Sequence, residues 1–456
     1  MKPNLLFVFA DQWRAQATGY AGDPNVATPN LDRFAAGSLN FTNAVSGCPV
    51  CSPYRASLMT GRYPNRHRMM YNDQCLSRLD GGPFLGECLR DGGYRAAWIG
   101  KWHLDGNGRN AFVPPERRLG FDLWMGFECC HDYQSSHYYV GNDPRPHRWQ
   151  GYDADAETEA ACRFLRDQTG DKPFALFLSW GPPHNPFGSA PAAFEAMYDP
   201  SRIQLPPNVP GAVADQARRE LAGYYAHCSA LDAAFGRLLD TLAATGRDRD
   251  TIVVFTSDHG DMLGSQGQFR KQRPWAESTR VPFLVRHPQG AGPETDATPI
   301  DAPDLMPTLL ALCGTPIPAA VQGRDFSRTI HTGQPSGIEE ALLSLYVPFH
   351  EWRYDNGGRE YRGLHDARYT YVRTLAGPWL LYDNLEDPGQ LHNLIDDPAH
   401  AARVAQLDAR LTNRLHAVGD DFADGREILR RERVALNPTG DIAILPSQLP
   451  EPYSTT

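Results

Sequence analysis

The sequence predicts an α/β fold: a large mixed, mostly parallel sheet with helices on both faces, followed by a smaller antiparallel sheet with one helix. Three observations predict it. Short, unbroken apolar runs alternate with helix-period segments along the first three quarters of the chain. Each of the clearest runs ends abruptly in polar residues. After about residue 335 the texture changes to short strands separated by turns.

The runs Leu5 to Ala10, Arg95 to Gly100, Phe174 to Trp180 and Thr251 to Ser257 read as buried strands. Continuous apolar runs, rather than alternating ones, suit a parallel sheet covered on both sides. Ala154 to Gln168 and Gln216 to Ala244 carry apolar residues at helical spacing, which gives the α/β order. Asp301 to Cys313 reads as a further helix, stopped by Gly314 and Pro316. Beyond it, Ala341 to Val347, Tyr361 to His365, Tyr369 to Thr374 and Trp379 to Asp383 read as short strands, and Leu394 to Val418 as a helix. The organisation expected is a main domain over residues 1–335, a small α+β unit over 336–420 and a polar, Pro-containing extension over 421–456.

Composition excludes several classes. With 456 residues, 41% hydrophobic and 21% charged, the chain is an ordinary globular protein with room for a large core. A formal net charge of -10, without a run of Lys or Arg, argues against nucleic acid as a partner. The apolar stretch Leu5 to Ala10 is too short to span a membrane, and Asp11-Gln12 stands where a signal peptide would have its cleavage site. Nine scattered cysteines, an odd number, do not read as a disulfide framework. A cytoplasmic location is expected, with no membrane association. An oligomer of identical chains is left open.

The residues that follow the strands carry the chemistry. The first strand ends at Asp11-Gln12, the second at Lys101-Trp102-His103, the third at Pro183-His184 and the fourth at Asp258-His259-Gly260-Asp261. Ligands of open α/β sheets bind at the carboxyl ends of the strands, so these residues should converge. Asp11, Gln12, Asp258 and His259 together offer two carboxylates, an amide oxygen and an imidazole. Such a set suits one divalent cation, Ca2+ first, with Mg2+ or Mn2+ as alternatives.

The segment Cys51-Ser52-Pro53-Tyr54-Arg55 opens a helix, with Pro53 in its first turn. Cys51 then sits where free N–H groups and the macrodipole favour an anion, and an activated thiolate is expected. Arg55, one turn on, can reach back toward it. Cys48-Pro49-Val50-Cys51 also fits a C-x-x-C redox or zinc motif, but the redox reading lacks its βαβ setting and the zinc reading lacks a second pair.

Cys51-x-Pro53-x-Arg55 followed by Thr60-Gly61 resembles the maturation signature of the type I, formylglycine-dependent sulfatases. The resemblance continues in Gly100-Lys101-Trp102-His103-Leu104, in Pro183-His184, and in Ser257 to Gly264 followed by Lys271. It recurs in Glu277 to Pro282, in Leu381 to Asn384, in Asp387-Pro388 and in His392-Asn393-Leu394, so that it covers the chain to about residue 420. It implies an alkaline phosphatase-like fold and hydrolysis of sulfate monoesters. It implies that a separate maturation enzyme oxidises Cys51 to formylglycine, whose hydrated diol attacks sulfur. Asp11, Gln12, Asp258 and His259 would hold the cation, with the modified Cys51 as a further ligand. Arg55 and Lys101 would orient the diol and neutralise charge, and Lys271 and His184 would bind the sulfate and the leaving oxygen. His103 would take the proton that drives release of sulfate.

Gln12 stands where many members have a second Asp, which leaves the cation site one negative charge short. An added carboxylate there is expected to tighten binding. The residues leave open a phosphonate monoester or phosphodiester hydrolase with the same site, and a non-catalytic binder of sulfated ligands. A sulfated carbohydrate is the expected substrate, with aryl sulfates as surrogates. Arg14, Arg66, His67, Asn72, His131, Arg273 and Trp275 are the candidates for contacting it. Trp could stack on a sugar or aryl ring, and Arg could bind a carboxylate or second sulfate.

Overall fold

The computed structural model describes residues 2–168, 170 and 172–443. Its main sheet has ten strands. The four strands expected from the sequence are neighbours at its centre, in the order Thr251–Ser257, Asn4–Asp11, Phe174–Pro183 and Arg95–Lys101, all parallel. Leu123–Phe127 continues the parallel part, whereas Phe283–Arg286 and His137–Val140 pair antiparallel toward the two edges. These outer strands are short, and their sequences carry no long apolar run.

Alternation along the first strand explains why the runs are unbroken. Leu6, Val8 and Ala10 join one core, with the helices Asp153–Arg166 and Ala214–Ala244. Leu5, Phe7 and Phe9 join the other, with Cys51–Thr60, Leu85–Asp91 and Ala302–Leu312. Both pleat faces are buried, so both must be apolar. Asp301 caps the helix Ala302–Leu312 through a reciprocal pair with Asp304, whose Oδ2 accepts from the Asp301 N–H at 3.0 Å.

The smaller sheet runs antiparallel in chain order through Glu340–Leu345, Tyr361–Asp366, Tyr369–Thr374 and Gly377–Asp383. Leu407, Leu411 and Leu415 of the covering helix pack on Leu364, Tyr371 and Leu381. That helix starts at Ala401 rather than Leu394. A 3-10 turn, Pro398–His400, precedes it, and the Asp397 carboxylate accepts from Ala399 N at 2.9 Å, so the chain turns before it can wind. The described part of the extension is also ordered. Gly425–Arg431 is a helix capped by Asp424, and its Ile428 and Leu429 join a core with Trp352 and Tyr361. Residues 444–456 lie outside the described residues. Among the described residues no helix is long and apolar enough to cross a membrane, and all nine cysteines are unpaired.

Candidate active site

The carboxyl ends of the central strands deliver their polar residues to one buried point. Ligand atoms of Asp11, Cys51, Asp258 and His259 all lie within 4.8 Å of one another. Asp11 ends the first strand, and Asp258 follows the neighbouring strand in register, with Ala10 opposite Ser257. The Gln12 N–H donates to Asp258 Oδ1 at 3.0 Å, which ties the two strand ends together. Cys51 is the first residue of the helix Cys51–Thr60. Ser52 N donates to Asn72 Oδ1 at 3.0 Å, and Ser52 Oγ donates to the His103 carbonyl at 2.8 Å, so the helix start is clamped from two loops. Asn72, read from the sequence as a substrate contact, spends its side-chain oxygen on this cap.

The donor set fits a divalent cation. The Nδ1–H of His259 donates to the Gly260 carbonyl at 2.9 Å, which leaves Nε2 free and facing Cys51 Sγ at 3.2 Å and Asp11 Oδ1 at 3.5 Å. Burial, aided by Lys271 and opposed by Asp258 and Asp11, lowers the imidazole's pKa, which favours the neutral form that binds metals. Burial alone would raise Asp11, but Lys101, His184, His259 and Lys271 hold its carboxyl well below the usual range. Two carboxylates and an imidazole nitrogen converge here, and the Gln12 amide oxygen, which accepts from Lys271 Nζ at 3.2 Å, would complete a hard, mostly oxygen set.

Cationic side chains surround this point. Arg55 is fully buried over the Phe9 ring. It donates to Asp258 Oδ2 at 3.0 Å and 3.1 Å, to Asp11 Oδ2 at 3.4 Å, to the Lys101 carbonyl at 2.9 Å and to Ser179 Oγ at 2.8 Å. Its hydrogen bonds thus go to the two carboxylates rather than to Cys51. Lys101 Nζ pairs with Asp11 Oδ2 and lies 4.0 Å from Cys51 Sγ. Lys271 Nζ lies 3.4 Å from the same sulfur and 2.7 Å from His184 Nε2. The Nδ1–H of His184 donates to the Asn185 carbonyl at 2.8 Å, so Nε2 accepts from the Lys271 ammonium. Burial, Lys271 and His131 hold His184 well below the usual histidine pKa, and the ring of His131 stacks on it at 4.4 Å.

The expected thiolate is corrected by this geometry. Burial and the Asp11 carboxylate push the Cys51 thiol up to about 12, against the opposing pull of Lys101 and Lys271. Burial of the thiol, helped by the Asp11 carboxylate, outweighs the pull of the neighbouring cations.

His103 occupies a different pocket wall. Its Nε2 faces Asp73 Oδ1 at 3.1 Å, and Asp73 is held in turn by two hydrogen bonds from Arg109, at 3.2 Å and 2.9 Å. His103 Nδ1 is buried and has no protein partner among the described residues. Asp73 thereby fixes the tautomer with a free Nδ1 lone pair. The backbone at Gln12, His103, Arg270 and Gln272 has φ of 72°, 58°, 67° and 73°, a left-handed conformation uncommon for non-glycine residues.

The remaining sequence candidates scatter. Arg14 is buried and turned toward Tyr225, with Nη2 to the phenolic oxygen at 3.5 Å. Arg66 is exposed at the end of the short helix Pro64–His67. Both ring nitrogens of His67 are engaged inside the core, with Ser57 Oγ at 3.1 Å and Met69 N at 3.1 Å, and burial lowers its pKa to about 3. That placement makes His67 a core histidine rather than a substrate contact. Arg273 donates to the Glu351 carbonyl at 3.0 Å and stacks over Trp352, while Trp275 donates to Tyr382 Oη at 3.2 Å. Both join the main site to the small unit. Sequence reasoning missed the roles of Asp73, Arg109, Ser179, Asp261 and Glu351. Ser179 had a signal, a polar residue inside the apolar run Phe174 to Trp180. Glu351 had none.

Residues 3–315 match the model of the sulfatase family, and residues 264–417 match that of the C-terminal region of N-sulphoglucosamine sulphohydrolase. An ulvan-active sulfatase of Formosa agariphila is 44% identical over 427 residues, covering 92% of this chain and 82% of that protein. A solved structure from a study of glycosaminoglycan metabolism by Bacteroides thetaiotaomicron superposes with a TM-score of 0.84 at 29% identity, covering 95% of this chain and 99% of that one. A phosphonate monoester hydrolase from Silicibacter pomeroyi shares the fold, with a TM-score of 0.76 at 24% identity, covering 97% and 99%. With more than half of its length matched by the family model and a close full-length relative, the chain belongs to the sulfatase family of hydrolytic enzymes.

Proposed function

We propose that the protein hydrolyses sulfate monoesters of a sulfated carbohydrate, with residue 51 matured from cysteine to formylglycine and one divalent cation, Ca2+ in the first instance, at Asp11, Gln12, Asp258 and His259. The single observation that carries the reading is the position of Cys51 Sγ, buried 3.2 Å from His259 Nε2, 3.4 Å from Lys271 Nζ and 4.0 Å from Lys101 Nζ. A nucleophile in that position meets an anion that needs its charge neutralised on several sides. Relatives named for ulvan and for glycosaminoglycan metabolism support a carbohydrate substrate.

A cation held by Asp11, Gln12, Asp258 and His259 would supply charge stabilisation at this point. Residue 51, as a hydrated aldehyde, supplies one hydroxyl for attack on sulfur and a second whose deprotonation expels sulfate and restores the aldehyde. Arg55 holds Asp11 and Asp258 in place with the buried guanidinium between them. Lys101 and Lys271 neutralise the sulfate oxygens, and the Lys271–His184 pair lines the side where the leaving oxygen departs. His103, with its free Nδ1 and its tautomer set by Asp73, accepts the proton of the second hydroxyl. Residues 1–335 form the catalytic unit, and 336–420 close over it through the Arg273–Glu351 and Trp275–Tyr382 contacts. Nine unpaired cysteines support a reducing, cytoplasmic setting. The maturation enzyme and the sulfated substrate are the partners expected.

A panel of sulfated mono- and disaccharides, assayed for sulfate release beside an aryl sulfate and a phosphodiester, tests the reading. Turnover of a sulfated sugar above the phosphodiester is the expected result. A phosphodiester turned over faster than every sulfate would overturn it.

A further inference from the structure

Gln12 is held by a partner that its role in the cation site does not explain. Its side chain is fully buried, and both ends of its amide are engaged. Nε2 donates to Asp261 Oδ2 at 2.7 Å and reaches Asn185 Oδ1 at 3.4 Å. Oε1 accepts from Lys271 Nζ at 3.2 Å. The two partners are complementary in a way that fixes the amide. Lys271 only donates, and an ionised Asp261 only accepts. Turning the amide over would set NH2 against ammonium and oxygen against carboxylate. Asp261 is itself immobile, because Oδ1 accepts from Leu263 N at 2.9 Å and from Arg270 N at 2.8 Å, and Arg270 Nη1 stands 3.8 Å from Oδ2.

We propose that Asp261 is the positioning residue that turns the Gln12 amide oxygen toward the cation, and that its carboxylate is the reason this site carries Gln rather than an acid at position 12. The inference rests on the cation site proposed above. A glutamate at position 12, isosteric with Gln12, would point one of its oxygens at Asp261 Oδ2, within the space of a 2.7 Å hydrogen bond. Two carboxylate oxygens at that separation have no hydrogen to share and repel each other. A glutamate at position 12 is therefore expected to weaken the site as long as Asp261 is present. Asp258 lacks this conflict, because its Oδ1 accepts from the Gln12 N–H and its Oδ2 from Arg55.

The pair can be exchanged without changing its shape or its total charge. In Asp261→Asn, the N–H groups of Leu263 and Arg270 keep the new carbonyl oxygen at the Oδ1 position. The new NH2 then faces Gln12 Nε2, donor against donor, and Gln12 turns its own NH2 toward the cation. In Gln12→Glu, carboxylate meets carboxylate. In the double variant the amide introduced at position 261 donates to the carboxylate introduced at position 12, whose other oxygen faces the cation.

The test is calorimetric titration of the metal-stripped enzyme with Ca2+, with a thermal melt of each variant. Asp261→Asn and Gln12→Glu are each expected to weaken Ca2+ binding about tenfold or more, the usual scale for residues that orient a metal ligand. The double variant is expected to return to within about threefold of the wild type or to bind more tightly, the exchange having restored that orientation. Wild-type affinity in Asp261→Asn, or a double variant no better than the weaker single variant, overturns the proposal. Should Asp261→Asn fail to fold, the comparison of the double variant with Gln12→Glu decides: recovery supports the pairing, and equal or weaker binding overturns it. A wild-type enzyme that binds no Ca2+, Mg2+ or Mn2+ contradicts the cation site itself, whereas wild-type binding with an unaffected Asp261→Asn contradicts the role of Asp261 alone.

Discussion

The centre of the site and its rim are built by different rules. At the centre, Asp11, Asp258, His259, Arg55 and Lys101 are almost wholly buried, and each side chain is fixed by named partners. At the rim, Arg66 is exposed, Trp275 is half-buried, and Arg273 is engaged with the small unit rather than with the nucleophile. The difference teaches that the ends of the central strands, with the start of one helix, hold the buried centre rigidly, whereas the rim is lined by loops and by contacts with the small unit.

Substitutions ordered from centre to rim sharpen that contrast. The largest loss is expected for Asp258→Ala, which removes a cation ligand and leaves the buried Arg55 guanidinium without its main acceptor. Sulfate release should fall about a thousandfold or more, the upper end of what one preorganised electrostatic group contributes. A loss below tenfold would place the cation elsewhere.

Next come the two histidines, for which about a hundredfold is expected: His103 through lost proton transfer, and His184 through loss of the ring that accepts from the Lys271 ammonium on the leaving-oxygen side. His184→Ala disturbs the Lys271 side of the site, so it should damage sugar sulfates far more than activated aryl sulfates, whose leaving groups need no proton. His103→Ala should slow both alike and produce a burst followed by a slow steady rate, because release of sulfate no longer contains the leaving group. The reverse pattern would exchange their roles.

At the rim, Arg273→Ala should raise KM for a sugar sulfate several-fold with little change in kcat for an aryl sulfate, since it frees the Glu351 loop without touching the nucleophile. An equal loss of kcat on both substrates would move Arg273 into the centre. Arg66→Ala should stay within about twofold on every substrate, as surface changes usually do.

A separate effect concerns stability rather than activity. His67 has a pKa of about 3 in the folded protein, below its unfolded value. The unfolded chain therefore takes up a proton that the fold refuses, and stability present above about pH 6.5 falls as the pH drops toward 3. His67→Gln should flatten urea-unfolding free energies across that window. An unchanged slope would mean that the ring titrates normally.

Much of the centre was legible because a sheet buried on both faces leaves an unambiguous trace. Leu5 to Ala10 and Thr251 to Ser257 are unbroken, so Asp11 and Asp258 stand out at their ends. The motif around Cys51 was legible because spacing within one helix survives in the sequence. What was not legible depends on segments far apart in the chain. Asp73 meets His103 and Arg109, and the Glu351 carbonyl accepts from Arg273 across the two units, with no spacing to announce either. The state of Cys51 was misread for the same reason: the sequence displays the helix start and Arg55, but not the complete burial of the thiol beside Asp11. The start of the helix at Ala401 was missed because leucine and isoleucine at 394 and 395 imitate a helical face before Pro398 turns the chain.

The central claim is that residue 51 acts as formylglycine, and one measurement tests it most directly. Preparations made with and without a formylglycine-generating enzyme are digested, and the fraction of the peptide carrying the aldehyde at position 51 is quantified by mass spectrometry beside the rate of sulfate release. The account predicts a rate per mole of protein proportional to that fraction, vanishing when residue 51 is wholly cysteine. A fully active preparation in which every copy of Cys51 is unmodified would contradict it.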